Sequence, residues 1–222
     1  FTMKDPCEKC HLAWGLAEFR ERFPLLRLTH LADCALQWEG ELAFSAVKDG
    51  YGKIGNSYRI RGFVPARFPI QEAVVFETGG RIAKDYHRLK DMSLCLGSPI
   101  RIKKVMAEQP SLIGLVDRLI IPYLYNHSYM ERHGTMPVGE LEHGGPGLVH
   151  DYEELFRLKG LQQCLEALRL LGLKKRIANK RPCPCGSGHR LGRCHNLQLN
   201  LLRKLAPRNY FKKEARTLAT EL

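Results

Sequence analysis

Four residues near the C-terminus have the types and spacing of a metal site. Cys183 and Cys185 are separated by one residue, and Cys194 and His195 follow after eight more. Thiolates and imidazole are preferred donors for zinc, and four of them in two close pairs suit a tetrahedral ion with no open position for catalysis. The short segment around them buries little apolar surface, so metal binding would stabilise its fold. The sequence therefore predicts a structural zinc site.

A second set of potential metal ligands lies near the N-terminus. Cys7 and Cys10 form a C-x-x-C pair, and His30 and Cys34 follow at a spacing that a second zinc ion would allow. A buried Cys34 without a metal is the alternative, because this residue stands where a strand is predicted to begin. The chain shows no secretory N-terminal pattern, so its cysteines are expected to be free, catalytic or metal-bound rather than paired in disulfides.

Cys95 fits two interpretations. It stands between Leu94 and Leu96, as a buried residue would, yet His87 lies eight positions before it. A thiol near an imidazole suits acyl transfer through sulfur. In that chemistry His87 would lower the pKa of the Cys95 thiol or relay a proton, and Asp85 would orient the imidazole. The alternatives are a buried Cys95 and a His87 that only braces its loop.

The elements that must position these residues are strands followed by helices. Apolar residues alternate with polar ones at 35–47 and 57–65, and a short apolar run occupies 72–82, so the tight connections between them predict an antiparallel meander. Helical spacing over 111–132 predicts a helix kinked near Pro122. A later helix ends at Gly172.

Two positions on these helices have specific predicted roles. Ser111 directly follows a proline and has the side chain of an N-cap, so the first helix is expected to begin there. Cys164 lies on the apolar stripe of the second helix and is expected to be a core residue.

Several of these features together resemble ubiquitin-conjugating enzymes. They are the strand meander, the segment "FPIQEAVVF", the histidine before the "LCL" cysteine and the helix that opens "PSLIGLVDRLIIPYL", which span about residues 34–152. The resemblance is closest to bacterial members, including those of CBASS-type antiviral operons with cGAS-like nucleotidyltransferases. It implies that Cys95 accepts the C-terminal carboxyl group of a ubiquitin-like protein or of a cGAS-like nucleotidyltransferase as a thioester and passes it to an amine.

The same resemblance implies roles for the histidines and for a partner enzyme. His87 falls near the histidine of the family's His-Pro-Asn element, but this chain reads Tyr86-His87-Arg88, so the usual oxyanion donor is missing. His143, in "GELEHGGPG", is the candidate for a replacement polar group. The sequence contains no nucleotide-binding glycine loop, so an activating enzyme or a preactivated acyl donor is implied.

The C-terminal region combines its cysteine motif with strong positive charge. The Cys-x-Cys-x8-Cys-His pattern at about residues 181–196 resembles the SEC-C motif, the zinc-binding tail of the SecA translocation ATPase, which implies a docking role. Residues 151–222 hold 16 Lys and Arg against 6 Asp and Glu, whereas residues 1–150 hold 19 against 17. An acidic protein or the ribosome is the expected partner of this basic tail, and nucleic acid is the alternative.

The sequence therefore predicts an α+β protein in four parts. An N-terminal helical segment (1–33) precedes a ubiquitin-conjugating-like domain (34–152), and a helical connector (153–180) leads to a SEC-C-like zinc module with a basic tail (181–222). No apolar stretch is long enough to cross a membrane, so a cytoplasmic location without a membrane partner is expected. The predicted function is cysteine-dependent acyl transfer. An inactive adaptor of the same fold and a cysteine hydrolase are the alternatives.

Overall fold

The fold is known from a computed structural model that describes residues 6–137 and 145–220. It is of the α+β class, as predicted, and contains a four-stranded antiparallel sheet. The chain divides into two compact units. The first extends to Gly97 and resumes at Val105, and the second comprises Ser98–Lys104 together with the C-terminal region. Within the described ranges, every helix is too short or too polar to cross a lipid bilayer.

The first unit begins with two helices and continues into the sheet. Its early elements are α1 (Pro6–Ala13), α2 (Leu16–Arg22), β1 (Leu26–His30), β2 (Leu36–Lys48), β3 (Gly52–Val64) and β4 (Val74–Glu77). The strands lie side by side in chain order, each antiparallel to the next. Strands β2 to β4 form the meander that the sequence pattern predicts, whereas β1 is an additional strand within the segment 1–33, which was predicted to be helical.

Period-two alternation of apolar residues decides which face of the sheet is buried. Leu36 and Trp38 on β2 and Ile60 on β3 are all fully buried. Trp38 pairs with Gly62 on β3, where a Cβ atom would lie only 2.0 Å from the indole ring. Only glycine leaves room for the large ring on this face of the sheet.

A long helical segment follows the sheet. Its parts are α3 (Pro99–Glu108), which has residues of both units, α4 (Leu112–Leu115), a π-helical turn (Val116–Ile120) and α5 (Ile121–His133). The Ser111 hydroxyl accepts a 3.0 Å hydrogen bond from the Gly114 backbone N–H, which confirms the predicted N-cap. The π turn lies directly before α5, whose second residue, Pro122, has no N–H to donate to the preceding turn. Helix α5 then packs against β2 and β3.

The second unit is helical. Its main elements are α6 (Gly145–Phe156), α7 (Gly160–Leu171), α8 (Lys175–Ala178), α9 (Asn196–Leu202) and α10 (Arg208–Thr220). Tyr152, Phe156 and Phe211 are fully buried in one apolar cluster, in which α7 packs against α6 and α10. Cys164 is fully buried in the same cluster, so its predicted place in the core is confirmed.

The structure overturns the second metal site predicted near the N-terminus. Cys7 on α1 and Cys34 form a disulfide, so neither can act as a thiolate ligand. The short 3-10 turn Ala32–Cys34 brings Cys34 against α1, a contact that residue spacing alone does not reveal. Cys10 retains a free thiol, and His30 is exposed. The expectation that the cysteines are unpaired is therefore wrong for Cys7 and Cys34.

Changing Cys34 to serine is expected to lower the free energy of unfolding under non-reducing conditions by about 3 kcal/mol. The disulfide joins residues 27 positions apart and so restricts the unfolded chain. Urea denaturation measures the difference, and Cys10→Ser is the matched control, which should be close to wild type. If wild-type stability is the same with and without a reducing agent, the disulfide does not form.

Candidate metal centre and candidate thiol site

The loop between α8 and α9 folds back on itself and brings the four predicted metal ligands together. The Cys183 N–H donates to the His189 carbonyl at 2.8 Å, and the Leu191 N–H donates to the Arg181 carbonyl at 2.9 Å, which closes a short hairpin. Gly186 in its turn has a φ of 77°, a conformation that favours glycine. The hairpin thus holds the first cysteine pair close to the second pair of ligands.

The ligand atoms of Cys183, Cys185, Cys194 and His195 all lie within 4.8 Å of one another. His195 Nδ1 is 3.2 Å from Cys183 Sγ and 3.3 Å from Cys194 Sγ. Cys185 Sγ is 3.4 Å from Cys183 Sγ and 3.5 Å from Cys194 Sγ. Tetrahedral coordination by zinc places sulfur ligands about 3.8 Å apart. The group could therefore bind a metal ion, as the spacing predicts.

A backbone carbonyl holds the imidazole of His195 in the orientation that a metal ligand needs. Nε2 of His195 lies 3.1 Å from the carbonyl oxygen of Arg157, so Nε2–H donates and Nδ1 is left to face the sulfurs. Arg157 follows α6 and has a φ of 56°, which turns its backbone at this point. This contact was not predictable from the sequence, because a backbone carbonyl leaves no signature in residue types.

Two of the thiols have pKa values shifted in opposite directions. Hydrogen bonds from the Ser187 hydroxyl and backbone N–H lower the pKa of Cys185 to about 6. Burial raises the pKa of Cys183. A bound metal ion would favour the thiolate of both residues, because a coordinated thiol loses its proton.

The loop after β4 places Cys95 and His87 on facing segments of backbone. The Cys95 N–H donates to the His87 carbonyl at 2.9 Å, and the neighbouring Leu94 N–H donates to Val75 of β4 at 2.7 Å. Leu94 is buried, whereas Cys95 is only half-buried. The loop therefore fixes the position of Cys95 without enclosing the residue completely.

Tyr123 of α5 holds the backbone next to His87. Its hydroxyl donates to the carbonyls of Tyr86 and His87, at 3.3 Å and 3.2 Å, and His87 has a φ of 32°. Asp85 is exposed in the turn that precedes them, and within the described residues no hydrogen bond joins it to His87. Helical spacing predicts Tyr123 as a packing residue, but its contact with the His87 loop depends on the fold.

A buried ion pair anchors the same loop to the end of β4. Arg88 Nη2 lies 3.1 Å from Glu77 Oε2, and their side chains are only 6% and 1% exposed. Arg88 also donates to the carbonyls of Ile82 and Met92, at 2.8 Å and 3.0 Å. This pair was not predicted from the sequence. Its one local signal is a glutamate at the end of the apolar run 73–76, where a charged residue needs a partner if it is buried.

Burial also affects the reactivity of the Cys95 thiol. It raises the pKa of Cys95, and a hydrogen bond from the Gly97 backbone N–H opposes this effect without reversing it. The thiol form therefore predominates at neutral pH, and a proton must leave before the sulfur can attack. His143, the predicted source of a further polar group, lies outside the described residues.

Comparison with protein-family models, with curated proteins and with solved structures finds no match for this chain. The class defined by the fold and the site is an α+β protein that has a four-stranded antiparallel meander and a Cys/His group able to hold a metal ion.

Proposed function

We propose that this protein is a bacterial ubiquitin-conjugating-like acyl transferase that holds the C-terminal acyl group of another protein as a thioester on Cys95. The observation on which the proposal depends is the pairing of Cys95 with His87 across one backbone hydrogen bond of 2.9 Å. Cys95 is half-buried on the loop between β4 and α3, and the order of sheet, histidine, cysteine and later helix is also that of the family resemblance.

The proposed reaction has two steps, formation of a thioester and its transfer to an amine. The Cys95 thiolate attacks the carbonyl carbon of an activated acyl donor, and the activating group leaves with the bonding electron pair, so a thioester forms. An amine, such as that of a lysine side chain, then attacks the same carbon, loses a proton and expels the Cys95 thiolate. Neither step changes an oxidation state, so no redox cofactor takes part.

Two histidines and an aspartate have separate roles in the proposed reaction. Because the pKa of Cys95 is raised, a base is needed to remove its proton, and the imidazole of His87 is the proposed relay. Asp85 would orient that imidazole once a partner covers the loop. His143 is the proposed donor to the oxyanion that develops on the carbonyl oxygen.

The proposed cargo is a ubiquitin-like protein or a cGAS-like nucleotidyltransferase. Both follow from the resemblance to bacterial enzymes of antiviral operons, and antiviral defence in the cytoplasm is therefore the proposed setting. The acyl group must arrive activated, from an activating enzyme or from a preactivated donor, because the chain has no glycine loop for binding a nucleotide.

The metal in this proposal is zinc, and its role is structural. Three thiolates and one imidazole would occupy all four tetrahedral positions, which leaves no position for substrate. Cys183 also belongs to the apolar cluster of the second unit, together with Leu191 and Leu199. A zinc ion would thus tie the hairpin to the core of this unit.

Intact-mass spectrometry tests the acyl carrier directly. The protein is co-expressed with its genomic neighbours and analysed without reducing agent, with and without hydroxylamine. Wild type is expected to show an adduct that hydroxylamine removes, since thioesters react readily with this nucleophile. Cys95→Ser is expected to show either no adduct or a more resistant ester, because an oxygen ester is a poorer acyl donor.

Cys10→Ser is the matched control, because Cys10 is another half-buried free cysteine of the first unit. This variant should form the adduct as wild type does. An adduct that survives in Cys95→Ala would place the acyl group elsewhere. If no protein forms an adduct, the inactive adaptor becomes the better description, with its function in the basic C-terminal region.

A further inference from the structure

A groove between α8 and α9 combines apolar and basic side chains at the surface of the second unit. Its volume is about 310 Å³, and its lining residues are Lys175, Leu197, Asn200, Leu201, Arg203 and Lys204. None of these six residues is a metal ligand or belongs to the Cys95 loop. The groove is therefore a separate feature of the second unit.

Two leucines make this groove unusual for a solvent-exposed surface. Leu197 and Leu201 lie one turn apart on α9 and are 75% and 53% exposed, whereas Leu199 and Leu202 of the same short helix are buried. The opposite side of α9 therefore packs into the apolar core of the unit, so Leu197 and Leu201 are not needed there. Single exposed leucines are ordinary, but a pair that lines a groove is typical of a surface that binds another molecule.

The charged side chains that line the groove are all basic. Between Ala167 and Lys213 the sequence contains thirteen Lys and Arg and no Asp or Glu. Lys175 and Lys204 are exposed at the groove. No acidic side chain of this segment can neutralise them, so the groove favours a negatively charged partner.

The side chain of Arg203, which lines the groove, is held in a fixed position by hydrogen bonds. Its guanidinium donates to the carbonyls of Leu170, Leu171 and Leu173, at 3.0, 2.8 and 2.6 Å. It thus supplies hydrogen-bond donors to carbonyl groups at the C-terminal end of α7. These bonds hold Arg203 in place whether or not a ligand is present. A partner would therefore meet a preorganised surface, which reduces the entropy lost on binding.

We propose that this groove binds a short acidic, amphipathic segment of a partner protein. Apolar side chains of that segment would cover Leu197 and Leu201, and its carboxylates would meet Lys175 and Lys204. Nucleic acid is less well matched, because the groove offers apolar side chains and none of its described lining residues is aromatic, as base stacking would require. This inference does not depend on acyl transfer at Cys95.

Fluorescence anisotropy with the whole 222-residue chain, supplied with zinc, tests the proposal. The probe is a synthetic glutamate-rich peptide of about 16 residues with leucines four positions apart, which places them on one helical face. An isomer of the same composition with scattered leucines serves as the control peptide. The patterned peptide is expected to bind at least about tenfold more tightly than the isomer, because only it can cover both leucines of the groove.

Two double variants should weaken binding of the patterned peptide. Leu197→Gln with Leu201→Gln, and Lys175→Glu with Lys204→Glu, are each expected to reduce affinity about tenfold or more. Lys213→Glu with Arg216→Glu makes the same change in charge on exposed positions of α10 and should have an effect of less than about threefold. Zinc content and circular dichroism confirm that each variant is folded.

Three results would overturn the proposal. Equal affinity for both peptides would show that only net charge matters. An unchanged affinity in the leucine variant would exclude the groove as the binding site. Tighter binding of a single-stranded oligouridine than of the patterned peptide, unaffected by the leucine changes, would identify the basic surface as a nucleic-acid site instead.

Discussion

Changing Cys183 and Cys185 together to serine is expected to abolish metal binding and the cooperative unfolding of the second unit. Metal binding by structural zinc sites is worth about 10–16 kcal/mol in apparent free energy, which is comparable to the whole stability of a domain. Cys183 is itself part of the apolar cluster of this unit. Loss of the metal would therefore release the hairpin from the core as well as from its ligands.

Elemental analysis and differential scanning calorimetry measure the two effects. Wild type should contain about one zinc ion per chain, the number that a single four-ligand site can hold. Cys95→Ser is the control, because it also replaces a thiol but lies outside the cluster, and it should retain the metal. If the double variant keeps its zinc, or if wild type holds none, the proposed metal centre is wrong.

The second large effect is expected at the buried ion pair of the Cys95 loop. Arg88→Met should lower the free energy of unfolding by about 3–5 kcal/mol, because it leaves the buried carboxylate of Glu77 without its cation. Among the residues that the structure describes, the carboxylate would keep the backbone N–H groups of Arg81 and Ile82 as donors, each at 3.3 Å. Urea denaturation measures the loss.

An exposed ion pair in the same sheet provides the matched control. Arg61 and Glu39 are 2.9 Å apart but nearly half exposed, so Arg61→Met should leave the stability almost unchanged. Combining Arg88→Met with Glu77→Gln should recover part of the loss, because the uncompensated charge is then removed as well. If Arg88→Met and Arg61→Met lower the free energy of unfolding by similar amounts, burial does not explain the effect of removing Arg88.

Removing Arg88 should also affect the thiol site, because it changes how the loop backbone is held and not the reacting groups themselves. Arg88 follows His87 directly and ties the loop to β4 through Glu77, so its removal frees the backbone that faces Cys95. If Cys95 carries the acyl group as proposed, the yield of its hydroxylamine-sensitive adduct should then fall even at temperatures where the variant is fully folded.

Features determined by neighbouring residues were predictable from the sequence. The alternation along β2 and β3 predicts the meander, the hydroxyl of Ser111 predicts the start of α4, and the apolar stripe predicts the buried position of Cys164. The four metal ligands were predictable for the same reason, because Cys183 through His195 lie within one short loop. In each case the pattern is contained in one stretch of chain, where strand, helix or turn geometry dictates which side chains share a face.

Contacts between distant stretches were decided only by the tertiary structure. Cys34 pairs with Cys7 rather than with a metal, and the Arg157 carbonyl orients His195 from 38 positions away. Glu77 and Arg88 are also unremarkable in the sequence, and only their common burial makes them a pair. Such contacts depend on the path of the whole chain and on which groups lose their water when it packs. Neither property can be read from residue types and spacing.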